Sequence, residues 1–463
     1  MSLTALLWLL LFLGLLLLSF TSPSWGASVY MLTFFALPQL WWWGRQGALA
    51  SPRWNLLGGL IFLISVCLTF RSHPLSERLP RLRFMRVLMI LMLINYTLVT
   101  LVLGYDFEMS NAVLFLQLKF IILVILLDCT MQDEANFRRV IITILCGILF
   151  LGIETNLLGA GKSREGRLEG VGVPGGNSSN QLANLLVTFM PMVGASIFSK
   201  DKVVRALGLI TSPLALNTLL KCNSRGAGLG WLVGGAVMLL LARGKERRLL
   251  LGGALLGGLA LVVLVGDERI LGRFGSTFVE EEQRDASAQS RIVFWTAAMK
   301  CLGEHPWGVG GDCYKNILSS RYLSGYIERN RSIHNGWLNE AVQWGVQGLV
   351  LRTLLMYQAF RCALAGQRVF RSLGAFQMSL LGLAFIGGLA AFSASGFFGD
   401  YWDSEWGLHL CALCMAYQRI ASICQKQQAN ESVSVPSVVG AAPAWAPAWS
   451  PPMMGRVNPT FRG

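Results

Sequence analysis

The chain has 463 residues, of which 54% are hydrophobic and 14% charged, and its mean hydropathy is +0.52. A soluble domain carries roughly a quarter charged residues, so a soluble globular protein is excluded. The net charge of +14 does not mark a nucleic-acid binder: basic loops between apolar runs are the ordinary topology signal of a membrane protein, and no nucleic-acid motif accompanies them.

Apolar runs of bilayer-spanning length fall at about 2–20, 27–43, 55–70, 84–104, 111–128, 139–159, 181–199, 203–220, 226–242, 249–266, 336–360, 373–395 and 406–421. The predicted fold is all-α: a polytopic membrane protein of about 12 transmembrane helices, with a large extracytoplasmic loop containing short helices. A β-barrel is excluded, because barrel strands alternate apolar and polar residues. Met1–Phe20 lacks a basic n-region and a small-residue cleavage site, so it reads as the first span. Thirteen runs leave the N-terminus outside. The short second and third runs predict that one of them fails to cross, which places both termini in the cytoplasm. Trp41, Trp42 and Trp43 read as an interfacial belt.

Basic loops at 71–86, 138–139, 200–205, 243–248 and 361–371 belong in the cytoplasm, and acidic loops at 106–108 and 400–405 on the other side. The polar segment 267–335 is then outside. Lys119, within an apolar run, either faces a partner or cavity, or snorkels to the interface. The outside loop 160–180 is Gly-rich and reads as a connector that can also offer backbone N–H groups to an anion. Asn177-Ser178-Ser179 fits the glycosylation-acceptor pattern, which is common by chance. Residues 1–424 form the membrane domain. Residues 425–463 are Pro/Ala-rich and read as a disordered cytoplasmic tail.

Most of the ten cysteines lie in apolar runs, and Cys411 and Cys414 read as packing residues. Cys301 and Cys313 share the outside segment, where a disulfide is possible.

The outside face collects Arg225, Arg291, Arg321, Arg329, Arg331 and His334. Guanidinium groups suit an anionic substrate, and an imidazole suits proton transfer near neutral pH. His334 stands out because it joins the polar segment to a helix and is followed by Asn335. His305 precedes Pro306 in a turn, His409 lies in a span and His73 on the cytoplasmic side. The run Glu280-Glu281-Glu282 with Asp285 reads as a solvated loop face. Gly345 and Gly348 would let a neighbouring helix approach closely.

His334-Asn335, nine residues, then Gly345-Val346-Gln347-Gly348 resembles the signature of the bacterial O-antigen ligase and polysaccharide polymerase superfamily. Ser224-Arg225-Gly226, Arg291 through Trp295, and His305-Pro306-Trp307-Gly308-Val309-Gly310 resemble further motifs of that family, and Arg167, Gly170 and Asn177 an upstream loop pattern. The resemblance covers about residues 160–360. It implies an enzyme of the inner membrane that moves a glycan from undecaprenyl diphosphate to an acceptor hydroxyl, lipid A–core or similar, on the periplasmic face, without a metal or other cofactor. By resemblance Arg225 and Arg291 bind the diphosphate and His334 takes the proton from the acceptor. Arg167, Arg331, Asn335 and Trp295 are the expected substrate-binding residues. The implied partners are membrane lipids, the lipid-linked glycan and the acceptor, with no nucleic acid. A polymerase and a protein O-glycosyltransferase are alternatives within the family. A transporter is an alternative outside it, although the sequence has no internal repeat and Lys119 is its one clear mid-span charge.

Overall fold

A computed structural model of the chain describes residues 2–69, 79–164, 166–172, 178–264, 286–323 and 331–434; for 258–264, 286–289 and 431–434 it describes the backbone alone. The architecture is all-α. The helices are α1 (Leu3–Ser19), α2 (Pro23–Phe35), α3 (Trp54–Thr69), α4 (Pro80–Leu98), α5 (Phe107–Thr130), α6 (Glu134–Asn156), α7 (Ser179–Ser196), α8 (Lys202–Cys222), α9 (Arg225–Leu241), α10 (Lys245–Leu264), α11 (Ala286–Glu304), α12 (Ser319–Tyr322), α13 (Gly336–Ser372), α14 (Phe376–Ser395) and α15 (Trp406–Ser434). By length and composition, α4, α5, α6, α8 and α14 are long and apolar enough to cross a membrane; α1, α3 and α9 are shorter apolar helices.

Polar residues set where several helices begin. The side chains of Ser2, Asp106, Asp133 and Asp201 accept N–H groups from the first turns of α1, α5, α6 and α8. Ser178 and Gln181 form a capping box on α7. Each cap satisfies donors that have no partner within the helix. Close packing rests on small residues. Gly230 and Gly234 of α9 face the carbonyls of Ala391 and Gly387 on α14, where a Cβ would come within 2.7 and 2.6 Å. The start of α15, Trp406 to Ala421, is buried throughout and forms the middle of the bundle.

The two ends of the bundle differ in kind. At one end Asp128 accepts from Arg86 at 2.6 Å and from Arg419, and Glu246 accepts from Arg371 at 2.6 Å. Arg138 pairs with Asp201 there too. His334 lies at the other end, because α13 starts beside it and reaches Arg371 in its last turn.

Several expectations change. Among the described residues, ten helices before the polar segment and three after it pack in the bundle, and five of these are long and apolar enough to cross a membrane. Trp8 meets Trp43 and Trp54 at ring distances of 6.0 and 4.9 Å, whereas Ser22, just past α1, donates to Asn136 at the head of α6. So α1 starts at the His334 end, while α15 runs away from it, and the first and last described helices do not start and finish on one face, where one face was expected for both termini. Trp41 and Trp43 are buried in the core and only Trp42 is exposed, so the expected interfacial belt reduces to one residue. The 160–180 loop holds a hairpin, β1 (Lys162–Arg164) antiparallel to β2 (Arg167–Glu169). Cys301 and Cys313 are free thiols in one small core, so no disulfide joins them. α15 continues to Ser434, so the described part of the 425–463 tail is helical. Lys119 is exposed on α5 and has no ion pair among the described residues. The expected packing role of Cys411 and Cys414 holds, since both are buried.

Candidate active site

The site is assembled from five separate stretches at the His334 end of the bundle. The first is the hairpin. Glu169 accepts from the Ser179 backbone N–H at 3.0 Å and from its hydroxyl at 2.7 Å, at the start of α7. An internal carboxylate thus takes the helix start that the loop, read as a connector, could also have offered to an anion. Arg167 Nη2 donates to Asn180 Oδ1 at 3.0 Å.

The second is the head of α9. Ser224 precedes its first residue, and its hydroxyl donates to the same Asn180 oxygen at 2.8 Å rather than accepting from the helix's own first turn. Arg225 follows as the first helical residue and is half-buried. Gly226 packs against Phe398, where a Cβ would lie 2.6 Å from the Phe398 Cβ.

The third is α11. Arg291 Cζ sits 5.9 Å from the centre of the same Phe398 ring. Phe398 therefore lies between the helix starts that carry Arg225 and Arg291. Burial raises the Tyr401 phenol well above its ordinary range, Asp400 raises it further, and Arg291 and Arg167 act against both. One buried phenol thus feels both arginines. Trp295, an expected substrate-binding residue, is half-buried and packs against the small core around Ala298, Cys301 and Ile333.

The fourth stretch runs from His305 to the short α12. Gly308 and Gly310 have φ of +101° and +94°, which glycine adopts without strain. This turn lies against a break in α13 at Gly345, where φ is +80°. Val309 and Gly310 donate to the carbonyls of Val342 and Gln343, and Val346 donates to that of Pro306, all at 3.0 Å. The Pro-Trp-Gly-Val-Gly turn thus takes up backbone groups that the broken helix frees. Gly345 serves this turn rather than a neighbouring helix. The His305 Nε2 lies 3.0 Å from the Tyr105 hydroxyl.

The fifth is the loop from Gly396 to Asp403, which faces the head of α13. Asn335 caps that helix, its Oδ1 accepting from the N–H groups of Trp337 and Leu338 at 3.1 Å. Asp400 accepts from the Asn335 N–H at 3.1 Å, from the His334 N–H at 3.3 Å and from the Ser332 hydroxyl. Asp403 accepts from the Asn339 side chain at 2.8 Å. Burial, with Glu340, Asp400 and Asp312 nearby, pushes its carboxyl up to about 8.

His334 is solvent-accessible, and its ring centre lies 6.1 Å from that of Phe294. The protein around it still desolvates the ring, which lowers its pKa; Asp400 acts in the opposite sense, and Arg291, Arg331 and Lys315 add to the lowering. The imidazole is therefore held neutral and ready to accept a proton. Arg331 is exposed, with its backbone N–H on Ser319 Oγ at 2.9 Å. Arg321 is exposed and lies 3.9 Å from Glu304. Arg329, Asn177 and the 280–285 acidic run lie outside the described residues.

Sequence reasoning missed Asn180, Lys315, Phe398, Asp400 and Tyr401. The acidic character of 400–405 was visible, but nothing local linked it to His334.

Residues 210–352, from the middle of α8 to the middle of α13, match the family described as O-antigen ligase. The match includes Arg225, Arg291, His334 and Asn335, but neither Arg167 nor the 396–403 loop. No curated protein matches the chain. With the arginines and the histidine gathered at one end of an all-α membrane protein, the stretch 210–352 of this chain is similar to the O-antigen ligase family.

Proposed function

We propose that this protein is an O-antigen-ligase-like glycosyltransferase of the bacterial inner membrane. It moves a glycan from undecaprenyl diphosphate to a hydroxyl of lipid A–core or a similar acceptor, on the periplasmic face. The observation that carries the reading is that Phe398 packs against both Gly226, next to Arg225, and the Arg291 guanidinium, two residues from the Asp400 carboxylate that accepts the His334 and Asn335 N–H groups. In this scheme His334, as the neutral imidazole, takes the proton from the acceptor hydroxyl. The hydroxyl oxygen attacks the anomeric carbon, and the diphosphate leaves with the bonding electron pair. Arg225 and Arg291 stabilise that leaving group, with Arg167 on its flank. Such groups act mainly on the transition state when they are held in place beforehand, and here Phe398 and Asn180 do the holding. Arg331 and Asn335 line the acceptor side. The steps use only these side chains.

Complementation of a deletion strain tests the reading. His334→Ala and Arg291→Ala, inserted at wild-type levels, should leave the glycan on its lipid carrier and off the cell surface. Long chains on the carrier favour a ligase, and single repeat units a polymerase. Full surface display by both variants would remove the transferase reading and bring the transporter forward.

A further inference from the structure

We propose that Asp400 is a positioning residue of this site: its carboxylate fixes the backbone of His334 and Asn335, and thereby the orientation of the imidazole. The proposal rests on His334 acting as the base, as set out above.

The Asp400 carboxylate gathers three donors: the hydroxyl of Ser332 and the N–H groups of His334 and Asn335. Those two N–H groups precede α13, so no carbonyl within the helix can accept from them. His334 has φ +55°, the left-handed region, which residues with a Cβ enter at a cost. Such a backbone persists only where its surroundings hold it, and here one carboxylate grips it from two sides. The carboxylate also sits at the positive end of the long helix α13. Asp400 is itself placed tightly. A side chain on the preceding Gly399 would come within 2.3 Å of the Tyr401 ring, so only glycine lets Tyr401 fold back there.

Charge supplies a second effect. The charged groups that act on the imidazole are Asp400, Arg291, Arg331 and Lys315. Three are cationic and weaken it as a base. Asp400 alone among them favours the imidazolium that forms when the proton arrives. A residue that only buttressed the fold would leave the titration of His334 unchanged, whereas Asp400 should move it.

The test uses the full chain in lipid nanodiscs, comparing wild type, Asp400→Asn, Ser332→Ala and His334→Ala. Diethyl pyrocarbonate labels neutral imidazole. Labelling of the His334 peptide against pH, read by mass spectrometry, therefore reports its protonation without any turnover. Transfer is followed separately, as release of undecaprenyl diphosphate from an undecaprenyl-diphosphate-linked glycan in membranes. For Asp400→Asn the labelling midpoint should move to lower pH and transfer should fall about 100-fold, as expected when a reacting group is misplaced. Ser332→Ala takes one donor from the carboxylate and changes no charge, so it stands in if Asp400→Asn does not fold. Its transfer should fall about tenfold. A wild-type midpoint with wild-type transfer in Asp400→Asn, or wild-type transfer in Ser332→Ala where that variant stands in, overturns the proposal. Normal transfer by His334→Ala removes instead the assignment of the base, and a labelling shift in Asp400→Asn would still report the contact.

Discussion

Arg167 and Ser224 share a single acceptor, the side-chain oxygen of Asn180, at 3.0 and 2.8 Å. One residue at the head of α7 thereby ties the hairpin to the head of α9, where Arg225 begins the helix. Asn180→Ala should release both. A hydrogen bond to a charged group contributes about 1.5–3 kcal/mol, so transfer should fall by about tenfold or more while membrane levels stay normal. The quantity to measure is the glycan left on its lipid carrier. Wild-type levels would detach the hairpin from the site.

The acid limb of the transfer rate should report His334. The base works as the neutral imidazole, and its pKa is lowered in the folded protein. Activity should therefore hold as pH falls through the ordinary histidine value near 6.5 and be lost only below it. Lys315 contributes to the lowering, so Lys315→Gln should raise the midpoint. A midpoint for wild type above 6.5, or none that moves in Lys315→Gln, would show that another group titrates.

Gly308 should not tolerate a side chain. Its φ is +101°, and a Cβ would come within 2.6 Å of the Gly345 nitrogen and 2.7 Å of the Gln343 carbonyl oxygen. The left-handed backbone alone costs about 1–2 kcal/mol, and the backbone atoms in the way cannot rotate aside. Gly308→Ala should lower the melting temperature in detergent and reduce the amount in the membrane. Gly303, on α11 with nothing within 4 Å of its missing Cβ, provides the control. Gly303→Ala should be neutral or mildly stabilising.

At the opposite end, Asp128 takes both Arg86 and the buried Arg419. Asp128→Ala leaves the Arg419 guanidinium buried beside backbone carbonyls without its counter-ion. Breaking a buried pair from one side costs about 3–5 kcal/mol, so thermal stability and yield should fall sharply. Replacing Asp128 and Arg419 together should cost less than Asp128→Ala alone. If both proteins melt together with wild type, the pair is not a stabilising contact.

Cys301 and Cys313 should react as free thiols only after unfolding. Both are buried, and burial raises both thiols, that of Cys301 to about 11. A maleimide should label neither in the folded protein at neutral pH and both after denaturation without reductant. A disulfide-linked peptide pair in a non-reducing digest would contradict this.

The sequence by itself determined the helices, the basic end and the residues proposed here to react. Apolar runs are local, and a backbone surrounded by lipid must satisfy its hydrogen bonds within each run, so the spans were legible without knowing their neighbours. The motifs around Arg225, Arg291 and His334 were legible for the same reason, since each lies within a few adjacent residues. Tertiary structure decided which polar groups meet. Asp400 lies 66 residues from His334, and Asn180 lies 44 from Ser224; no periodicity links them. The glycine turn at 308–310 and the break at Gly345 form one contact, although each had only looked like a motif of its own. Trp41 and Trp43 entered the core because α1, α3 and α6 pack around them, and that packing is not written in the three adjacent letters. Hydropathy assigns a residue to a helix, but a polar atom finds its partner only when distant helices pack together.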